Sequence, residues 1–211
     1  KLLPDGVIYA EAGVTLAQAA VFAMKNSLTG LEFAHGIPGT LGGGVYMNAG
    51  AYGGEMADVV FSTDAVNDSG TYTVTDGGHE FSYRHSVFES DGGIVLSSLL
   101  RLTSGSESEI SAKMDELMSK RRTSQPLDMP SAGSTFKRPA GGYAAAMIDQ
   151  CGLKGFAFGG AQVSEKHAGF VINRGDASFS DVIHVISHVQ NEVYKKFGVH
   201  LEPEVRIITR H

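Results

Sequence analysis

The largely apolar run from Val7 to Ala12 reads as a strand over 7–12. Thr15 then stands as an N-cap, and an alanine-rich run predicts a helix over 16–26 that ends before Gly30. A helical turn is expected at 31–35 and a short helix at 41–47. Strands are predicted over 59–64 and 71–75, joined by the turn signal Asn67-Asp68-Ser69-Gly70. Gly92-Gly93 introduces a strand over 94–102, and 107–122 reads as a helix. Past a polar loop at 123–130, a helix is predicted near 143–150 and a strand over 168–173. Ser178 caps a long helix to 197, stopped by Gly198, with Val182, Ile186, Val189, Val193 and Phe197 on one face. A last strand is predicted over 201–209. Short strands among separate helices, with no internal repeat, predict an α+β fold rather than a doubly wound parallel sheet. Ser104-Gly105-Ser106 is the natural break, giving domains 1–103 and 104–211.

Composition narrows the class. A chain of 211 residues that is 42% hydrophobic and 19% charged can bury a sizeable core. The net charge of −6 hides an asymmetry: residues 1–100 hold 3 basic and 11 acidic side chains, residues 101–211 hold 14 and 12. Neither half has the basic excess of a nucleic-acid binder, and no nucleic-acid partner is expected. The single cysteine, Cys151, rules out an intrachain disulfide and favours a reducing, cytoplasmic setting. No run approaches the ~20 apolar residues of a membrane span. The chain opens on Lys1 rather than Met, and reads as a fragment or a trimmed chain.

The segment Gly36 to Gly54 (GIPGTLGGGVYMNAGAYGG) packs 8 glycines and no charge into 19 residues. Each glycine would cost ~1 kcal/mol in a helix or strand interior, yet Val45, Tyr46, Met47 and Tyr52 are too apolar for a linker. It lacks the Gly-Lys-Ser/Thr ending of a P-loop and the GxGxxG of a dinucleotide fold. Tight turns packed on a sheet are one reading. Thr40 and Asn48, set among bare amides, favour the other, a cradle for a pyrophosphate or a flavin edge.

Three further places carry candidate chemistry. Ser134, in Ala-Gly-Ser-Thr-Phe-Lys, follows a turn-forming glycine and precedes the cations Lys137 and Arg138. A loop serine is usually inert, but a hydroxyl near cations can protonate a base as strong as a carbanion. Arg84, in SYRHSVF, is the one arginine of the first hundred residues. A surface ion pair is its ordinary role, and bidentate clamping of a carboxylate is the functional one. Glu204, in LEPEVR, would share a strand face with Arg206 and Ile208. His184 and His188 have chelating helical spacing, but they lie opposite the apolar face with no intervening glutamate. A solvated helix face is expected there, and no metal.

Taken in order, GIPGTLGGGVYMNAGAYGG, SYRHSVF, RRTSQP, SAGSTFKRP, GLKGFAFGGAQVSEKHAGFVIN and LEPEVR resemble the UDP-N-acetylenolpyruvoylglucosamine reductase (MurB) family, in its shorter, Gram-positive-like branch. The resemblance implies the second lobe of a two-lobed FAD-binding domain of the vanillyl-alcohol-oxidase type, then an α+β substrate domain. It implies FAD as cofactor, NADPH as reductant, and a UDP-sugar enolpyruvyl ether as substrate in peptidoglycan precursor synthesis. By motif match, Ser134 protonates the carbon next to the reduced methylene, while Arg84 and Glu204 stabilise the enolate-like intermediate. Tyr83, Lys137, Arg138 and Gln162 would contact substrate; Arg138 stands where many relatives have asparagine. Gly36, Ile37, Pro38, Gly39, Thr40, Gly42, Gly43, Asn48, Ala49, Gly50, Gly53 and Ile94 would line the flavin. The family's upstream flavin lobe precedes the matching motifs, so this piece is expected to hold FAD weakly or not at all. The alternatives are a folded but inert fragment of that reductase, or another flavoprotein oxidoreductase of the same architecture.

Overall fold

Local rules build the first elements. The first apolar run forms β1 (Val7–Glu11), which buries Ile8 and Ala10. Thr15 then starts α1 (Leu16–Lys25) with a reciprocal cap: its hydroxyl accepts from the Gln18 amide, and the Gln18 side chain accepts from the Thr15 amide. Leu16, Ala19, Ala20 and Ala23 make the buried face of that helix. The chain continues through β2 (Leu28–Thr29), a 3-10 turn at Glu32–Ala34, α2 (Leu41–Tyr46), and the small hairpin of β3 (Gly50–Ala51) and β4 (Gly54–Glu55). Then come β5 (Val60–Asn67), β6 (Gly70–Thr75), α3 (Val87–Asp91), β7 (Ile94–Arg101) and β8 (Thr103–Ser104). These form an antiparallel sheet in the order β1-β7-β5-β6, with α2 packed on β1 and β7. The computed structural model describes residues 1–209 and resolves into two compact units, Lys1–Arg121 and Arg122 onward.

That division falls later than the expected 103/104. The Ser-Gly-Ser stretch is a sheet edge rather than a linker. β8 pairs with β2, the Gly105 amide donates to the Ser27 carbonyl at 2.8 Å, and α4 (Glu107–Ser124) buries Ile110 and Met114 in the first core. Apolar burial carries α4 into the first unit for most of its length.

The second unit contains β9 (Ser131–Ser134), α5 (Ala144–Gln150), β10 (Ala157–Phe158), β11 (Ala161–Val163), β12 (Phe170–Asn173) and α6 (Phe179–Phe197). Its antiparallel sheet runs β10-β11-β12-β9, and α6 packs on it. Ser178 and Asp181 cap α6 reciprocally, and Gly198 ends it with φ 67°. The Ser178 and Gly160 amides hold the Asp181 carboxyl below its ordinary pKa. Ile186, Val189 and Val193 are buried as expected, Val182 and Phe197 are half-buried, and Val185 is buried too, so the apolar stripe is wider than its predicted spacing. The strand expected over 201–209 does not form. Pro203 makes an isolated bridge to Phe136, flanked by Lys137 N–H to Glu202 O and Glu204 N–H to Thr135 O, both 2.8 Å. Proline has no N–H to extend a ladder, and Ile207 and Ile208 remain exposed. Among the described residues no helix is long and apolar enough to cross a membrane.

A buried histidine sits within the first unit. His79 has no exposed surface, and burial pushes its pKa below 6.5. The unfolded chain therefore takes up a proton near pH 6.5 that the folded chain refuses. Stability is full above that pH and falls as pH drops below it, levelling off under the folded pKa. The thermal midpoint is expected to fall on acidification from about pH 7 to about pH 5, less steeply in His79→Gln. Equal slopes in the two proteins would remove His79 from the balance.

Candidate functional site

Most glycines of the 36–54 segment are required by the protein's own packing. A Cβ on Gly42 would stand 2.9 Å from the Ala12 Cβ, and one on Gly54 2.7 Å from the Phe33 ring, both closer than van der Waals contact allows. Gly39, Gly43 and Gly53 differ. A Cβ on Gly39 or Gly53 would meet nothing within 4 Å, one on Gly43 only the Thr40 hydroxyl at 3.8 Å, and all three residues are exposed, as are Pro38 and Thr40. Bare backbone is therefore offered to solvent at these points. Ile37 and Ala49 are half-buried against the core, while Ile94, at the start of β7, is 66% exposed.

Asn48 does not face outward as the sequence reading expected. It is fully buried with φ 42°. Its Oδ1 accepts from the Ala57 amide at 2.9 Å, and its Nδ2 donates to the Ser82 carbonyl at 3.0 Å. The carboxamide thus joins the glycine segment to the SYRHSVF segment. Ser82 and His85 exchange backbone hydrogen bonds of 3.2 Å, leaving Tyr83 and Arg84 at the tip of a tight turn. Ser86 donates from Oγ to the Tyr46 carbonyl at 2.7 Å, and Phe88 is fully buried. Arg84, in left-handed backbone with φ 56°, donates from Nη2 to the Gly50 carbonyl at 3.2 Å, its guanidinium carbon 5.0 Å from the Tyr83 ring centroid. The structure therefore brings Asn48, Gly50, Tyr83 and Arg84 together.

Arg121 was assigned no role from the sequence. It is half-buried on α4, with its guanidinium carbon 5.8 Å from the Tyr52 ring centroid and its Nε 2.8 Å from where a Gly36 Cβ would stand. Burial lowers its pKa, yet a guanidinium stays charged. A fixed cation thus lies against the glycine segment. The one signal for it was the RRTSQP motif, which does not say which arginine turns inward.

In the second unit, Ser134 is exposed at the end of β9, opposite Phe170 and just after Gly133 at φ 84°. Thr135 beside it is buried. Its amide donates to the Gly169 carbonyl at 2.8 Å, and its hydroxyl accepts from the Val171 amide at 3.1 Å. Through the Thr135 carbonyl, the half-buried Glu204 is held next to this stretch. Lys137 pairs with the Glu202 carboxylate, and the Arg138 guanidinium carbon lies 4.1 Å from the Tyr143 ring centroid. Gln162 donates from its side chain to the Gly155 carbonyl at 2.9 Å. His184 and His188 are not simply solvated: their rings stack on Phe158 and Phe156, with centroids 3.7 and 3.9 Å apart. Among the described residues no group of three or more His, Cys, Asp and Glu side chains could hold a metal ion.

Comparison with known proteins follows the same division. Residues 3–76 match an FAD binding domain, and residues 125–208 match the C-terminal domain of UDP-N-acetylenolpyruvoylglucosamine reductase. The chain is 50% identical over 202 residues to the UDP-N-acetylenolpyruvoylglucosamine reductase of Caldanaerobacter subterraneus subsp. tengcongensis, covering 95% of this chain and 67% of the relative. The enzyme of that name from Clostridium perfringens strain SM101 is 48% identical over 212 residues, 100% of this chain and 70% of the relative. This chain thus spans about two thirds of such relatives. The crystal structure of the reductase (MurB) from Thermus caldophilus superposes with a TM-score of 0.83 at 35% identity, covering 93% of this chain and 71% of that one.

The buried amide and the open glycines give opposite expectations for substitution. Asn48→Ala leaves the Ala57 N–H and the Ser82 carbonyl without their partner, an expected loss of about 2–4 kcal/mol. Gly39→Ala meets no neighbour and is expected to change stability by about 0.5 kcal/mol or less. Chemical denaturation of the two variants checks this, and equal midpoints would refute the assignment of Asn48 as a clamp.

Proposed function

Because this chain belongs to the UDP-N-acetylenolpyruvoylglucosamine reductase family, we propose that its residues serve the FAD-dependent, NADPH-linked reduction of UDP-N-acetylglucosamine enolpyruvate to UDP-N-acetylmuramate, a cytoplasmic step of peptidoglycan precursor synthesis. The observation that carries the reading is identity near 50% across almost the whole chain to enzymes of that name. The first unit fits the cofactor. Gly39 and Gly43 offer bare exposed backbone beside the Thr40 hydroxyl, and Arg121 places a fixed positive charge against the same segment. Gly53 and Ile94 are exposed as apolar contacts require, whereas Gly42, Gly50, Ile37, Ala49 and Asn48 shape the wall from within.

FAD held there and reduced by NADPH would supply the hydride for the terminal methylene of the enol ether. The remaining chemistry belongs to this chain. Ser134 gives its hydroxyl proton to the adjacent carbon, completing the saturated lactyl ether. An unassisted hydroxyl is a weak acid, and it serves because the acceptor is carbanion-like. Arg84, through its N–H groups, and Glu204, through a carboxyl O–H, stabilise negative charge as it spreads into the substrate carboxylate, donors being most effective where charge develops. Tyr83, 51% exposed beside Arg84, orients the substrate. Lys137 and Arg138 meet the diphosphate, and Gln162, with one N–H committed to Gly155, offers its carbonyl oxygen and second N–H.

In the FAD-loaded enzyme, Ser134→Ala is expected to leave flavin reduction by NADPH intact and to slow reoxidation by the enolpyruvyl substrate about 10²–10⁴-fold. Stopped-flow absorbance of the flavin separates the two half-reactions. Normal reoxidation in the variant would exclude Ser134 as the proton donor.

A further inference from the structure

The chemistry above leaves one buried polar chain unused. His79 Nδ1 lies 2.8 Å from the Asp76 carbonyl oxygen, Nε2 lies 2.9 Å from Thr63 Oγ1, and that oxygen lies 3.0 Å from Ser98 Oγ. A carbonyl can only accept, so the ring proton is on Nδ1 and Nε2 accepts from the Thr63 hydroxyl. Thr63 in turn accepts from Ser98. All three side chains are buried, at 0%, 0% and 2% exposure, and the chain of bonds runs in one direction with the ring neutral.

The same ring touches both ends of the turn that carries Arg84. It stacks on Phe81 with centroids 4.8 Å apart and planes 9° from parallel, and it meets Phe88 edge-on at 6.1 Å. Phe81 directly precedes Ser82, and Phe88 lies on α3 just beyond the turn. We propose that His79 is a positioning residue for Arg84: its hydrogen-bonded ring fixes Phe81 and Phe88, and through them the Ser82–His85 turn and the guanidinium on it. The proposal rests on the role given to Arg84 above. A phenylalanine at 79 could also stack, but two hydrogen bonds at opposite ring nitrogens fix the ring's rotation as stacking cannot. Arg84 needs that support, since left-handed backbone at a residue with a Cβ persists only where its surroundings hold it.

Amide hydrogen exchange at Ser82 and His85, whose N–H groups bond across the turn, reads the effect directly. Thr63→Val and His79→Leu are expected to speed exchange at these two amides about tenfold or more, while β5 and β7 keep their rates. His79→Gln, which restores a donor and an acceptor but no ring to stack on Phe81, is expected to recover only part of the protection. In the FAD-loaded enzyme, Thr63→Val should slow the substrate half-reaction about tenfold and spare flavin reduction. Unchanged exchange at Ser82 and His85 in folded Thr63→Val overturns the proposal, and so does equal acceleration throughout β5 and β7. Faster turn exchange with an unchanged substrate half-reaction overturns instead the role of Arg84 on which it rests.

Discussion

The Asn48 carboxamide is the constraint on which the first unit's site depends. A glycine-rich segment has few side chains to interdigitate and the largest backbone entropy to lose on ordering. Leu41 and Val45 anchor its helical part in the core. Beyond Met47, fully buried Asn48 does the holding with its two amide atoms, one on Ala57 and one on Ser82. Arg84 inherits its position from Asn48 by two routes. One runs through Ser82, where its turn begins, and the other through Gly50, two residues after Asn48, whose carbonyl accepts from its guanidinium. An apolar residue of similar size would fill the space and leave two buried backbone groups unsatisfied, at about 1–3 kcal/mol each.

What was legible in the sequence was what neighbouring residues decide among themselves. The caps at Thr15 and Ser178 and the stop at Gly198 each need only one turn of chain, and each formed where the residue types placed it. The strand over 201–209 was not so decided. Its alternation is present, but a strand needs a partner ladder, and Pro203 interrupts the donors just where Phe136 meets it. The domain boundary failed to show for a related reason. Ser104-Gly105-Ser106 has a linker's composition, and its pairing with Ser27–Thr29 spans too much chain for composition to reveal.

The site was legible as chemistry and less so as direction. Glycine density correctly says that bare backbone lies close to something. In the folded chain much of that something is the protein itself: Ala12 at Gly42, Phe33 at Gly54, Glu55 at Gly50. The exposed remainder at Gly39, Gly43 and Gly53 is a smaller surface than composition implies. Asn48 was singled out for its polarity, yet its partners lie 9 and 34 residues away, and nothing local says that they are internal. Arg121 escaped notice because an arginine among Lys120, Arg121 and Arg122 carries no mark of which one helix rotation turns inward.

In the role proposed for Ser134, a weak acid in the second unit is made useful by placement. A serine hydroxyl is far too weak an acid to protonate ordinary bases, so its contribution depends on where it is held rather than on its pKa. Ser134 is exposed, and nothing in its own exposure would fix it. Its neighbour supplies the order: Thr135 is bonded through its amide to Gly169, through its hydroxyl to Val171, and through its carbonyl to the Glu204 amide. The hydroxyl is thus one covalent link from a residue held at three points. Glu204 is registered against the same residue, so a shift of Thr135 would carry Ser134 and Glu204 together. A register slip of one residue at β9 would also exchange the faces of Ser134 and Thr135, burying the acid and exposing its anchor. The irregularity between Phe170 and Ile172 on the facing strand sits where that register is set, and the Thr135 hydroxyl, taking the Val171 amide that lies between them, pins it there.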